Sequence, residues 1–217
     1  MTKIKILFNF VISRLFRLVP YSTILTSSYK AFTIQEKLNL RVPYSNLDLI
    51  NYLIKFSSEE KNINIFEYGS GSSTLFFEDY FNEVYSVEHD SLWYQVINKN
   101  IKTAKVKLIP PKKTKFPKIK SRKIGYKNLD FSDYVNYIKS LDMKFDIIFI
   151  DGRARQDCLL IAMDYINPNG IIILDDSSRS RYKKVIKQLP KNKNVVYFHG
   201  FGTFTPLPHS SAIIFNI

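Results

Sequence analysis

Glu67-Tyr68-Gly69-Ser70-Gly71-Ser72-Ser73-Thr74 is entered from the apolar run Ile63 to Phe66 and followed about twenty residues later by Glu88. A glycine-rich turn between strand and helix, with an acid ending the next strand, is how a Rossmann-like βαβ unit holds a nucleoside. Gly69 lets the chain leave the strand in a tight turn, and Gly71 removes a side chain where backbone must approach a ligand. Glu88 closes a second apolar run, Val84-Tyr85-Ser86-Val87, where its carboxylate can accept hydrogen bonds from both ribose hydroxyls. The competing reading is a structural glycine pair, with Glu88 an ordinary exposed carboxylate.

Among nucleosides, the residues favour S-adenosylmethionine over a dinucleotide. Glu67, expected at the end of the first strand, can face the cationic amino group of a methionine moiety and would repel a pyrophosphate. The third glycine of the dinucleotide fingerprint falls at Thr74, so the close helix approach of a pyrophosphate site is not encoded.

Outward from this turn, helical and strand patterns alternate from residue 46 onward, the mark of an α/β fold with a parallel sheet and crossover helices. Strands are expected at 63–68, 84–88, 106–109, 145–151, 170–175, 195–198 and 211–216. Helices are expected over 47–56, 73–81, 92–101, 130–141, 156–166 and 181–189. Ile147-Ile148-Phe149-Ile150 and Ile171-Ile172-Ile173-Leu174 read as strands buried on both faces. The last two strands are expected to be joined by a loop too long for a two-residue hairpin, with Gly202 to His209 covering an acceptor.

The net charge of +13 is unevenly spread. Residues 1–41 carry seven Lys/Arg against one acid, residues 102–127 eleven against none, and the remainder fourteen against eighteen. The body is slightly acidic, and two appendages carry the positive charge. Residues 2–19 read as an amphipathic helix ended by Pro20, with Lys5, Asn9, Ser13 and Arg17 forming a narrow polar stripe. Lys3, Lys5, Arg14 and Arg17 interrupt it, so it is too short in uncharged length to span a bilayer. It suits either a membrane interface or packing on the domain or a second subunit. The division expected is 1–45, basic helix and linker, and 46–217, the catalytic domain, with the basic stretch 102–127 a solvated mobile loop or an anion-capturing one. The single cysteine, Cys158, excludes a disulfide framework and reads as a core residue.

With these motifs laid out, residues 46–217 resemble the class I S-adenosylmethionine-dependent methyltransferases. The turn 67–72 looks like the family's cofactor motif and Glu88 like its ribose acid. Phe145-Asp146-Ile147-Ile148-Phe149-Ile150-Asp151-Gly152 looks like the fourth motif, and Pro168-Asn169-Gly170 like the turn before the fifth strand. Ser86-Val87-Glu88-His89-Asp90, Asp151-Gly152-Arg153-Ala154-Arg155 and Asp175-Asp176-Ser177-Ser178-Arg179 are together similar to a bacterial subgroup of mostly uncharacterised members. The resemblance implies a doubly wound, Rossmann-like sheet of seven mostly parallel strands with the last antiparallel. It also implies cofactor contacts from Glu67, Gly69, Ser70, Gly71, Ser72, Glu88 and His89. No acid follows the third strand, so adenine contacts must come from elsewhere.

Two schemes of catalysis fit the residues. In one, Asp151, Asp175 and Asp176 hold Mg2+, which lowers the pKa of an acceptor hydroxyl, similar to the catechol type of O-methyltransferase. In the other, His199 takes the proton. Asp151 is expected to be essential in either. Arg153, Arg155 and Arg179 suit an acceptor with a carboxylate or phosphate, or pair with the local aspartates. The expected activity is methyl transfer, to oxygen of a small molecule or of a sugar or lipid-linked intermediate, in the cytoplasm and at the membrane surface if residues 2–19 touch lipid. An RNA methyltransferase, and a non-catalytic membrane or nucleic-acid binder on the same fold, are the alternatives.

Overall fold

The structure, a computed structural model, describes residues 33–60 and 62–217; the helix expected over 2–19 lies outside them. In chain order the first half comprises α1 (Ile34–Leu40), α2 (Leu47–Glu59), β1 (Asn64–Tyr68), α3 (Ser72–Tyr80), β2 (Glu83–Glu88), α4 (Ser91–Asn98), β3 (Lys105–Leu108) and β4 (Lys112–Lys113). The second half comprises β5 (Leu129–Asp130), α5 (Ser132–Asn136), a 3-10 turn (Tyr137–Leu141), β6 (Phe145–Ile150), α6 (Arg155–Tyr165), β7 (Ile166–Asp175), α7 (Ser180–Ile186), β8 (Lys193–Gly202) and β9 (Thr205–Asn216).

Seven strands form one sheet in the order β3-β2-β1-β6-β7-β9-β8, and β9 runs antiparallel to its neighbours. The apolar runs produce this by strand alternation. Ile148, Ile150, Ile172 and Leu174 face α5, α6 and α7, while Ile147, Phe149, Ile171 and Ile173 face α2 and α3. Each layer is dry at its centre, with Ile147, Ile148 and Leu174 fully buried. The carboxyl ends of β1, β2, β6 and β7 meet along one rim, beyond which ligands bind in such sheets.

Three expectations are corrected. The last two strands form a long hairpin turned by only two residues, Thr203 and Phe204, since Gly202 pairs with Thr205. Neither is a favoured hairpin-turn residue, but tertiary contacts hold the turn. Thr203 N–H donates to Ser45 O (3.1 Å), Thr203 Oγ1 donates to Pro43 O (2.6 Å), and buried Phe204 stacks on Tyr44. The stretch 202–209 is therefore hairpin turn and strand, not a covering loop. The expected helix 130–141 divides into α5 and the 3-10 turn. The basic stretch is folded rather than free. Its β4 pairs with β5, and Asp130 accepts from Lys118 N (3.0 Å), Ile119 N (3.2 Å) and Ser132 N (2.9 Å). Burial works against the ionised carboxyl, but these bonds outweigh it and hold Asp130 below the usual range.

The described part of the expected linker packs on the domain. Thr33 caps α1 with a capping box, and Arg41 reaches Glu78, Asp79 and Leu75 O on α3.

Candidate active site

The glycine-rich turn is built from both ends. At Gly69, φ is +96°, and a Cβ there would stand 2.6 Å from Gly152 Cα, so the β1 and β6 exits touch backbone to backbone. Gly71 differs: its backbone is extended, and a Cβ would meet only Ser73 Oγ, at 3.6 Å. Nothing among the described residues requires a glycine there. Thr74, in place of the third fingerprint glycine, locks the turn by accepting from Gly71 N (2.9 Å) and donating to Glu67 Oε2 (2.5 Å). Ser73 Oγ donates to the other Glu67 oxygen, and Trp93 Nε1 donates to Ser70 O at 2.7 Å.

Glu67 is fully buried, and burial pushes its carboxyl up to about 8 despite the two hydroxyl donors. Glu88 accepts at Oε2 from Ser70 N (3.0 Å) and Oγ (3.1 Å), and at Oε1 from His89 N (2.7 Å) and Asp90 N (2.8 Å). His89 Nδ1 lies 2.7 Å from Oε1. Burial opposes the Glu88 charge, but His89 and the two backbone donors outweigh it and lower its pKa. The structure thus brings Glu67, Gly69, Ser70, Gly71, Ser72, Glu88 and His89 around one turn. The His89 ring lies beside Tyr126, Phe131 and Tyr134, with centroids about 6 Å away.

Next to this turn, three aspartates surround Arg155. Ala154 precedes α6 with φ +51°, which turns Arg155 inward, where it is 7% exposed. Nε donates to Gly152 O (3.1 Å), Nη1 to Asp175 O (2.9 Å) and Asp176 Oδ2 (3.3 Å), and Nη2 to Asp151 O (2.6 Å) and Oδ1 (2.5 Å). All five guanidinium donors are thereby used. Asp175 Oδ1 accepts from Ser45 Oγ and Ser211 Oγ, both at 2.8 Å, and His209 Nε2 is 2.9 and 3.0 Å from its two oxygens. Burial disfavours the Asp175 charge, but His209 and Arg155 outweigh it and lower the pKa. His209 moves the other way: burial opposes its imidazolium, and Asp175 wins and raises it above the ordinary 6.5. Asp151 is raised to about 7, by burial first and then by Asp175 and Asp176, with Arg155 opposing. Its Oδ2 has no donor among the described residues.

The histidine facing this cluster is His209, not His199. His199 is on the edge strand β8, exposed and stacked on Tyr197, and the structure does not bring it to the rim. His209 was assigned to a loop; the alternation His209, Ser211, Ile213 along β9 is the signal that places it. Arg153 and Arg179 stay near the rim, but Arg155 faces inward with no donor left over.

The three aspartates do not fit Mg2+. A guanidinium already occupies the space between them, and Asp175 has its oxygens committed to two hydroxyls and an imidazole. Ligand atoms of Asp175, Asp176 and His209 come within 4.8 Å of one another, yet the imidazole hydrogen bonds to Asp175, and Asp176 is paired with Arg155 and Arg179.

No protein-family model matches the sequence, and no curated protein matches it. Solved structures do. An O-methyltransferase from Bacillus cereus, in complex with SAH, aligns with TM-score 0.60 at 16% identity over 99% of this chain and 100% of its own. TomG, an O-methyltransferase from Streptomyces achromogenes involved in tomaymycin synthesis and in complex with SAM, aligns with TM-score 0.55 at 10% identity over 95% and 96%. An rRNA methylase from Streptococcus thermophilus aligns with TM-score 0.53 at 8% identity over 78% and 96%. At such identities the likeness establishes architecture. The chain has the Rossmann-like fold of the class I S-adenosylmethionine-dependent methyltransferases.

Proposed function

We propose that this chain transfers a methyl group from S-adenosylmethionine to an oxygen of a small anionic acceptor, a sugar or lipid-linked intermediate among the candidates. The observation that carries the reading is Gly71, which no atom of the described residues requires, in the turn whose neighbours Ser70 and Ser73 hydrogen bond to the carboxylates of Glu88 and Glu67. That is a cradle for a ligand with ribose hydroxyls and a cationic group.

Glu88 already holds four donors, so a ribose hydroxyl would displace Ser70 Oγ from Oε2, and Glu67, buried behind Ser73 and Thr74, would favour the amino group through its charge, with Ser70, Ser72 and His89 lining the turn. When bound, S-adenosylmethionine supplies an electrophilic methyl, and the protein has mainly to align a nucleophile with it. His209 Nε2–H donates to Asp175, which leaves Nδ1 to take the acceptor proton, as in other imidazoles oriented by a carboxylate. Asp151 Oδ2 is available to position the acceptor hydroxyl, and Arg155 holds Asp151 and Asp175 in register without touching the acceptor.

Calorimetric titration of S-adenosylmethionine into the purified chain tests the cofactor assignment, with Glu88→Ala and NAD as controls. Micromolar binding that the variant loses is expected; no binding by folded protein rejects it. A second reading, an RNA acceptor, is favoured by the folded basic lobe of residues 112–130. Salt-sensitive RNA binding that raises turnover would establish it.

A further inference from the structure

Beyond the cofactor turn, a cavity of about 180 Å³ opens between three walls: the basic stretch at 120–123, the β6–α6 turn at 152–157, and the start of α7 at 179–182. Besides Arg155, whose donors are already spent, its cations are Lys120, Arg122, Lys123, Arg153, Arg179 and Arg181, against the one acid Asp157. Resting on the methyl-transfer reading above, we propose that this cavity binds a phosphate or pyrophosphate group of the acceptor, so that the substrate class is a phosphorylated metabolite.

Two observations separate it from an ordinary solvated charge run. The ion pairs of this rim engage Arg155 and Arg179, whereas Lys120, Arg122, Lys123 and Arg153 have no carboxylate partner among the described residues. Arg153 is half-buried with its Nε enclosed and no carboxylate on its guanidinium, so the charge it presents to the cavity is one an anion would neutralise. The cations are also pre-positioned. Lys123 Nζ and the Arg153 guanidinium lie 5.3 and 5.9 Å from the centroid of the Tyr126 ring. Tyr126 stacks on Phe131 (5.9 Å), and Asp130 fixes the backbone of Lys118 and Ile119 just before Lys120.

The amino end of α6 adds to the field. This 11-residue helix has no side-chain cap, and its first residues line the cavity. A helix amino end favours an anion, with Asp157 in the same first turn as the opposing charge. The cavity begins at Gly152, one residue after Asp151, so an acceptor anchored here by its phosphate starts at the reacting rim. A carboxylate would use one fork of Arg153; a pyrophosphate uses the opposed cations of all three walls.

The test is calorimetry of inorganic pyrophosphate with the full chain, beside S-adenosylmethionine titrations of the same preparations. Saturable one-to-one pyrophosphate binding is expected, weakened at least tenfold in Arg153→Gln and in the double variant Arg122→Gln/Lys123→Gln, with cofactor affinity unchanged within twofold. The double variant alters exposed side chains only, so its loss of binding is not a loss of fold. Unsaturable binding, or binding indifferent to both variants, overturns the assignment, as does a short RNA that displaces pyrophosphate at hundredfold lower concentration. If S-adenosylmethionine binds and pyrophosphate does not, the anion site alone falls. If pyrophosphate binds as expected and S-adenosylmethionine does not, the methyl-transfer reading falls and the anion site stands.

Discussion

Gly69 and Gly71 are two residues apart and answer to different demands. At Gly69 any side chain meets Gly152 backbone at φ +96°, so Gly69→Ala should destabilise the fold by several kcal/mol, about the cost of combined strain and overpacking. Gly71→Ala should leave the midpoint of urea unfolding nearly unchanged and weaken S-adenosylmethionine binding tenfold or more. Equal cofactor affinity in Gly71→Ala would remove the main support for the cradle. Glu67 gives a second prediction at this scale. With its carboxyl raised to about 8, it is largely protonated at pH 7, and a cationic amino group arriving beside it favours ionisation. Cofactor binding should therefore release a proton and tighten between pH 6 and 8.5, measurable by calorimetry in buffers of different ionisation enthalpy. The stability linkage has the opposite direction: an unfolded Glu67 ionises from about 4.5 while the folded one does not, so its contribution falls as pH rises from there to about 8. At His209, Gln should cut kcat by about 10² to 10⁴ with cofactor affinity retained. The wild-type kcat should rise with pH through a midpoint above 6.5, where the imidazolium yields the base.

The turns after β6 and β7 work as one unit because a single guanidinium ties them. Arg155→Met would leave Asp151, Asp175 and Asp176 without their shared cation, a loss of about 3–5 kcal/mol as for other broken buried pairs. The deficit should shrink at pH 5, where the abandoned carboxylates protonate, so urea unfolding at pH 5 and pH 8 checks both magnitude and sign. Nothing in the spacing of Asp151-Gly152-Arg153-Ala154-Arg155 says which arginine turns inward; that is decided by the left-handed Ala154 and by acceptors on β7, twenty residues on. The strands themselves were legible, since four-residue apolar runs bounded by acids and glycines leave few alternatives. The hairpin was not, because Thr203-Phe204 lacks turn chemistry and is held by Pro43, Tyr44 and Ser45, about 160 residues away. His209 was missed for the same reason. Once the turn is read as a loop, the alternation that aims His209 and Ser211 at Asp175 is not followed back far enough.

Across the whole molecule the charge division seen in the sequence becomes spatial. The glycine-rich turn is bounded by buried carboxylates, Glu67 and Glu88, while cations of the basic stretch line one cavity with Arg153, Arg179 and Arg181. The two ligands of the proposed reaction therefore meet opposite fields within one rim, and salt should separate them. Buried contacts are weakly screened, whereas exposed lysines and arginines lose much of their reach as the Debye length falls from about 10 Å at 0.1 M to about 3 Å at 1 M salt. Raising sodium chloride from 0.05 to 0.5 M should weaken pyrophosphate binding by about tenfold or more and S-adenosylmethionine binding by no more than about twofold. A parallel fall in both affinities would mean that one shared field, not two opposed sites, governs the rim, and the division of the site into a carboxylate half and a basic half would be wrong.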